Sequence, residues 1–185
     1  MSWKLLSTLG IVFGAVGWAG GNGGSGNGGR GAPGGGVSDP EVAALVRRSA
    51  DANQALVRGD IDAYLSLIRH AKDYTLMNPF GGAPSRGFED TPQRRAGMKK
   101  FFRGGTLEQE VVETYGSASG DLVVLVTIER VRAAVGDLPE QDWSLRVTQV
   151  FRRAGPGWEL VHRHADPLTN SRTVEQAAAI ARGPS

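Results

Sequence analysis

The sequence predicts an α+β fold in which helices come first and a long, curved antiparallel sheet follows and wraps around them. Apolar residues keep a helical spacing between residues 38 and 68. From Leu107 onward the period switches to strand-like runs, at 107–115, 122–133, 142–153 and 158–165. The breaks between these runs are short and turn-like, so consecutive strands pair as a meander. A single sheet must bury one apolar face against the helices. If it curls around them, it forms a cone with a pocket at its open end.

The folded part begins near Ser38. Asp39 and Pro40 suit the N-cap and first position of a helix, Val42, Leu45, Val46 and Leu56 give its apolar side, and Gly59 ends it. Asp60 caps a second helix carrying Ile61, Tyr64, Leu65 and Ile68. A short strand, Tyr74 to Asn78, stops at Pro79 and leads into a loop with Gly81, Gly82, Pro84 and Gly87. Thr91 and Pro92 start a third helix with Met98, Phe101 and Phe102 on its buried side, ended by Gly104 and Gly105. After the four strands, Thr173 and Gln176 form a capping box for a last helix through Ala181.

Composition bounds the function classes. The 185 residues suffice for one domain with a core, and the absence of cysteine excludes disulfides, thiolate metal sites and a Cys nucleophile. The net charge of +2 comes from Lys4 and Arg30 in an acid-free N-terminal segment, and the remainder is formally neutral. Nothing here argues for nucleic acid binding. No phosphate loop, nucleophile elbow or nucleotide fingerprint is present.

Residues 1–19 have the layout of a secretory signal: a positive start, an apolar middle, and small residues at Gly17 and Ala19. The apolar run is shorter than the roughly 20 residues of a spanning helix, so no stable membrane span is expected. The expectation is export to the periplasm or exterior; a misassigned start would instead leave the protein cytoplasmic. Residues 20–37 are a Gly-rich linker, since 14 of the 27 glycines fall before residue 37. The domain proper spans 38–170, with a C-terminal helix and tail over 171–185.

The last strand holds the most pointed signal. In the segment from Trp158 to Asp166, regular alternation puts Trp158, Leu160, His162 and His164 on one face. A face beginning with Trp and Leu points into a core, so two imidazoles enter an enclosed space where a polar group needs a partner or a task. A metal site there lacks a third ligand, because Pro167 follows Asp166 at once. No metal and no cofactor are expected.

Two motifs resemble the nuclear transport factor 2-like superfamily over about residues 38–170. Asn78-Pro79-Phe80-Gly81, then Pro84 and Gly87, is similar to the loop after the first strand of ketosteroid isomerases. Trp158-x-x-Val161-His162-x-His164, preceded by Arg152-Arg153 and a Gly turn, resembles the last strand of the calcium/calmodulin-dependent kinase association domain and of many SnoaL-like proteins. The resemblance implies the cone fold and leaves function open. Where the isomerases have their general base, an Asp, this chain has Asn78, and an amide cannot take a proton from carbon near neutral pH. The isomerase's oxyanion Tyr falls at Ala52 and its second Asp near Thr148, so ketosteroid isomerase activity is not expected.

The expected site follows. His162 or His164 is the acid or base. Tyr74, Leu76 and Asn78 share the pocket side of the first strand; Asn78 either holds a carbonyl or caps the turn at Pro79. The isomerase alignment turns Thr148 into the pocket and brings Arg146 with it, to meet a ligand anion or Glu129; the alternative for either charge is a solvent-facing position. The basic pairs Arg94-Arg95 and Lys99-Lys100 read as a solvated helix face. The expected function is binding of a small, mainly apolar organic ligand by a homodimer, with cofactor-free isomerisation, cyclisation or dehydration if it is catalytic. The alternative is a non-catalytic ligand-carrying or oligomerisation module.

Overall fold

The computed structural model describes residues 37–182. The expected signal segment, nearly all of the linker and the last three residues lie outside this range. Four helices, α1 (Asp39–Arg58), α2 (Ile61–Leu67), α3 (Pro92–Phe101) and α4 (Val174–Ala181), accompany six strands. The strands are β1 (His70–Met77), β2 (Ser85–Arg86), β3 (Phe102–Gly116), β4 (Leu122–Val135), β5 (Leu138–Ala154) and β6 (Gly157–Pro167). They form one curved, unclosed sheet in the order β2-β1-β6-β5-β4-β3, with every pairing antiparallel except β1 with β6. This is the α+β cone, and β3 to β6 are the meander read from the sequence.

Local chemistry sets most element ends. Ser38, one residue earlier than expected, caps α1 in a reciprocal box with Glu41. Gly59 closes α1 in the left-handed region, with φ 84°. Asp60, Thr91 and Thr173 each accept from a backbone N–H three residues on, as caps of α2, α3 and α4.

Three boundaries differ from the sequence reading. The first strand begins at His70, because only Ile68 and Arg69 separate it from α2. The third helix stops at Phe101, and β3 runs through Gly104 and Gly105 instead of starting after them. A Cβ at Gly105 would lie 2.6 Å from the Val57 carbonyl oxygen and 2.8 Å from the Ala133 Cβ. The glycine is therefore where α1 presses onto the sheet, and it interrupts the β3–β4 register between Arg103 and Thr106. Finally, Gly136 and Asp137 alone turn β4 into β5, so β5 starts at Leu138.

The core lies between α1, α2 and the concave face of the sheet. Leu45, Ala52, Tyr64, Leu125, Phe151 and Leu160 are buried in it. A second cluster of Val57, Val131, Ala133 and Val135 continues it along β4. Among the described residues no helix is long and apolar enough to cross a membrane.

Candidate functional site

Beyond the packed core, the concave side opens into a hollow of about 440 Å³. That lies within the range of about 300–1,000 Å³ usual for small-molecule sites. Leu56 and Val57 of α1, Leu76 of β1, Met98 of α3, Val131 of β4 and Trp143 of β5 give it apolar walls. Phe80 meets the Trp143 ring edge-to-face at 6.1 Å, and the loop after β1 thus forms part of the wall.

Two clusters of polar side chains stand in this largely apolar wall, beside the single residues Asn78 and Arg94. The first is an ion pair. Arg163 on β6 donates from both terminal nitrogens to Glu129 on β4, at 3.0 and 2.8 Å. Asn53 of α1 donates to the same carboxylate at 2.9 Å. The Glu129 and Arg163 side chains are only 2% and 14% exposed, which marks the pair as buried. Burial works against the Arg163 charge, and the adjoining carboxylate outweighs it, holding the guanidinium ionised. Only two of the guanidinium's five N–H groups are used by Glu129. Behind the pair, Ser49 of α1 donates to Gln149 of β5, which extends the polar seam between helix and sheet.

The second group centres on His70, the first residue of β1. Its Nε2 lies 2.9 Å from the Tyr64 hydroxyl. Its ring stacks on Phe88 at 4.1 Å and meets Tyr74 edge-on at 4.7 Å. Burial, helped by the Arg94 charge, lowers its pKa to about 4. The imidazole is therefore neutral at neutral pH. Burial raises the Tyr64 phenol and pushes that of Tyr74 up to about 12, so both keep their protons.

A pH dependence of stability follows. The unfolded chain binds a proton at His70 below its ordinary pKa of about 6.5, whereas the folded chain binds it only below about 4. Stability is thus complete above pH 6.5 and falls as pH drops towards 4, by on the order of 2–3 kcal/mol. Urea midpoints between pH 7 and 4 should show this loss, and His70→Phe should flatten the curve in that window. A curve of unchanged slope in the variant would remove His70 as its cause.

Of the residues expected to bind ligand, Tyr74, Asn78 and Glu129 line the hollow. Asn78 also caps its turn: its side-chain oxygen accepts from the Phe80 N–H at 2.9 Å. Its amide nitrogen has no hydrogen-bond partner among the described residues. Glu129 pairs with Arg163 and not with Arg146.

His162, His164, Arg146 and Thr148 do not line the hollow. Arg146 and Thr148 alternate with the buried Val147, Gln149 and Phe151 of β5 and so take the outer face. For the imidazoles the reason is a one-residue bulge. Phe151 pairs with Leu160 but Val150 pairs with His162, so Val161 is an extra residue on β6. One inserted residue inverts every side chain beyond it. Leu160 still points inward, but Arg163 and Ala165 follow it, and the imidazoles turn to the outer face. There His162 is hydrogen-bonded to Thr75 at 2.7 Å and His164 is exposed. Arg146 forms an exposed pair with Asp166, and Thr148 sits opposite His164 in the ladder.

The sequence reading passed over His70, Tyr64 as a pocket residue, Asn53 and Arg163. Two signals pointed to the last two of these. Ser49 and Asn53 interrupt the apolar stripe of α1 one turn apart. Glu129 is the one acid among Val123, Leu125, Val131 and Ala133 on the inner face of β4, and such a carboxylate needs a cation opposite.

Comparison with known proteins places this geometry. Residues 47–168 match the model of the SnoaL-like domain. No curated protein matches the chain. Among solved structures, a candidate scytalone dehydratase from Novosphingobium aromaticivorans superposes with TM-score 0.57 at 12% identity, covering 72% of this chain and 96% of that one. A nuclear transport factor 2-like protein of unknown function in nutrient uptake from Rhodospirillum rubrum gives TM-score 0.52 at 21% identity, covering 69% and 98%. The hub homology domain of a calcium/calmodulin-dependent kinase from Chlamydomonas reinhardtii gives 0.51 at 14%, covering 69% and 98%. These likenesses show that the chain has the nuclear transport factor 2-like fold, and the match over residues 47–168 shows that it belongs to the SnoaL-like family.

Proposed function

We propose that the hollow binds a small, mainly apolar organic molecule and that His70, backed by Tyr64, handles a proton in a cofactor-free isomerisation, cyclisation or dehydration. The observation that carries this is the neutral imidazole at the wall of an apolar cavity with a hydroxyl 2.9 Å from its Nε2. A neutral imidazole accepts a proton at one nitrogen and donates at the other, and a low-dielectric site strengthens both contacts. Asn78, with its amide nitrogen unused, and the spare N–H groups of Arg163 supply donors to a ligand oxygen. The chemistry proposed in the sequence reading for His162 and His164 thus moves to His70. The dehydratase name carried by one structural neighbour agrees with this reaction class.

Native mass spectrometry of the protein from its own host tests the binding half. The expected spectrum shows a bound small molecule, lost in a Leu76→Trp variant that fills the hollow. Bare chains in both proteins would contradict it.

A homodimer through the outer sheet face belongs to the same proposal. Val124 and Val126 of β4 and Val150 of β5 stand together on that face, with Val124 opposite Val150 in the ladder. This patch also favours the second reading, assembly without turnover, and a kinase hub homology domain has the same fold. Sedimentation of the wild type against Val126→Lys measures the assembly, and His70 variants measure turnover, so the two readings separate.

A further inference from the structure

We propose that Arg94 makes the hollow selective for monoanions, and that its ligand is an apolar carboxylic acid whose carboxylate docks on the Arg94 guanidinium. This deepens the reading above and rests on it. Three fixed charges line the hollow: Glu129, Arg163 and Arg94. The first two cancel in a two-pronged pair. Arg94 is left over. Among the described residues no carboxylate lies within ion-pair distance of it, whereas its neighbour Arg95 is paired with Asp90 and Asp62, at 2.5 Å each.

Arg94 is also placed to act. Its guanidinium lies over the Phe88 ring, 5.1 Å from the centroid, and Phe88 stacks in turn on His70. The aromatic face steadies the cation and leaves its N–H edge free to donate. A carboxylate matches that planar fork with two parallel hydrogen bonds. A single free cation balances a single negative charge; a phosphate dianion would keep a negative charge uncompensated in the apolar hollow. The apolar walls then take the body of the acid and bring its far end towards His70 and Arg163. The same charge now depresses proton binding at His70. A docked carboxylate neutralises it, so the ligand itself makes the imidazole a better base.

Intrinsic tryptophan fluorescence of the full chain tests this with two matched probes, 2-naphthoate and 2-naphthamide. They share shape and apolar area and differ in charge. Wild type should bind the acid about tenfold more tightly than the amide, the size of one charge-assisted contact. In Arg94→Gln the ratio should fall to about one, with amide affinity unchanged, and Arg94→Lys should restore part of it. Added salt should shrink the wild-type ratio. Equal affinity in wild type, or a ratio that survives Arg94→Gln, overturns the role of Arg94 while the hollow remains a binding site. If neither probe binds, the ligand reading and this inference fail together.

Discussion

Glu129→Ala is expected to cost the domain about 3–5 kcal/mol, the usual penalty for stranding one partner of a buried ion pair. Arg163 would remain inside with no counter-charge, and Asn53 would lose the closer of its two acceptors. The guanidinium cannot shed its proton to escape. Its only recourse is water entering the hollow. Glu129→Met combined with Arg163→Met removes both charges at similar volume, and this double variant should recover most of the loss. Urea denaturation of the two variants measures the effect. An unchanged midpoint for Glu129→Ala would mean that the pair is solvated and that the hollow is wetter than its lining suggests.

The second large effect concerns turnover. His70→Gln should slow the reaction by about 100- to 10,000-fold, the range for loss of a positioned acid or base. Affinity for the ligand should change little, since Gln keeps a polar group at the stacked position. Tyr64→Phe should lower the rate less, because the hydroxyl acts through the imidazole and not on the ligand. His162→Gln and His164→Gln should leave the rate unchanged, as both rings lie on the outer face. Once a substrate is found with a panel of apolar acids, kcat and KM of these variants decide the matter. A rate that depends on His162 and survives His70→Gln would contradict the assignment.

The architecture was legible because it is written in periodicity. Four alternating runs after Leu107 gave the meander, and Asp60, Thr91 and Thr173 marked helix starts by their capping chemistry. Tyr74, Leu76 and Asn78 line the hollow as alternation expects, since the pairing of β1 with β6 is regular from Thr75 to Met77. The imidazoles did not. Nothing within 157–167 announces that Val161 is the extra residue. That bulge is fixed by how β6 pairs with β5, a relation between segments that local alternation cannot contain. His70 escaped notice for a related reason: with so short a link after α2, the start of β1 is set by tertiary pairing with β6. Arg94 reads as a surface charge in the helix pattern. It is exposed in the structure as well, and it borders the hollow with its guanidinium over the Phe88 ring.

The chain has three histidines, so their imidazole resonances form a compact reporter of where the ligand sits. Following the ring Cε1–H signals during titration with 2-naphthoate is the most direct check. The His70 signal, silent to pH changes down to about 4 in the free protein, should shift on binding and titrate at a higher pH in the complex. Those of His162 and His164 should stay in place. Movement of the His162 or His164 signals with an unmoved His70 would show that the ligand site is not the hollow under α1.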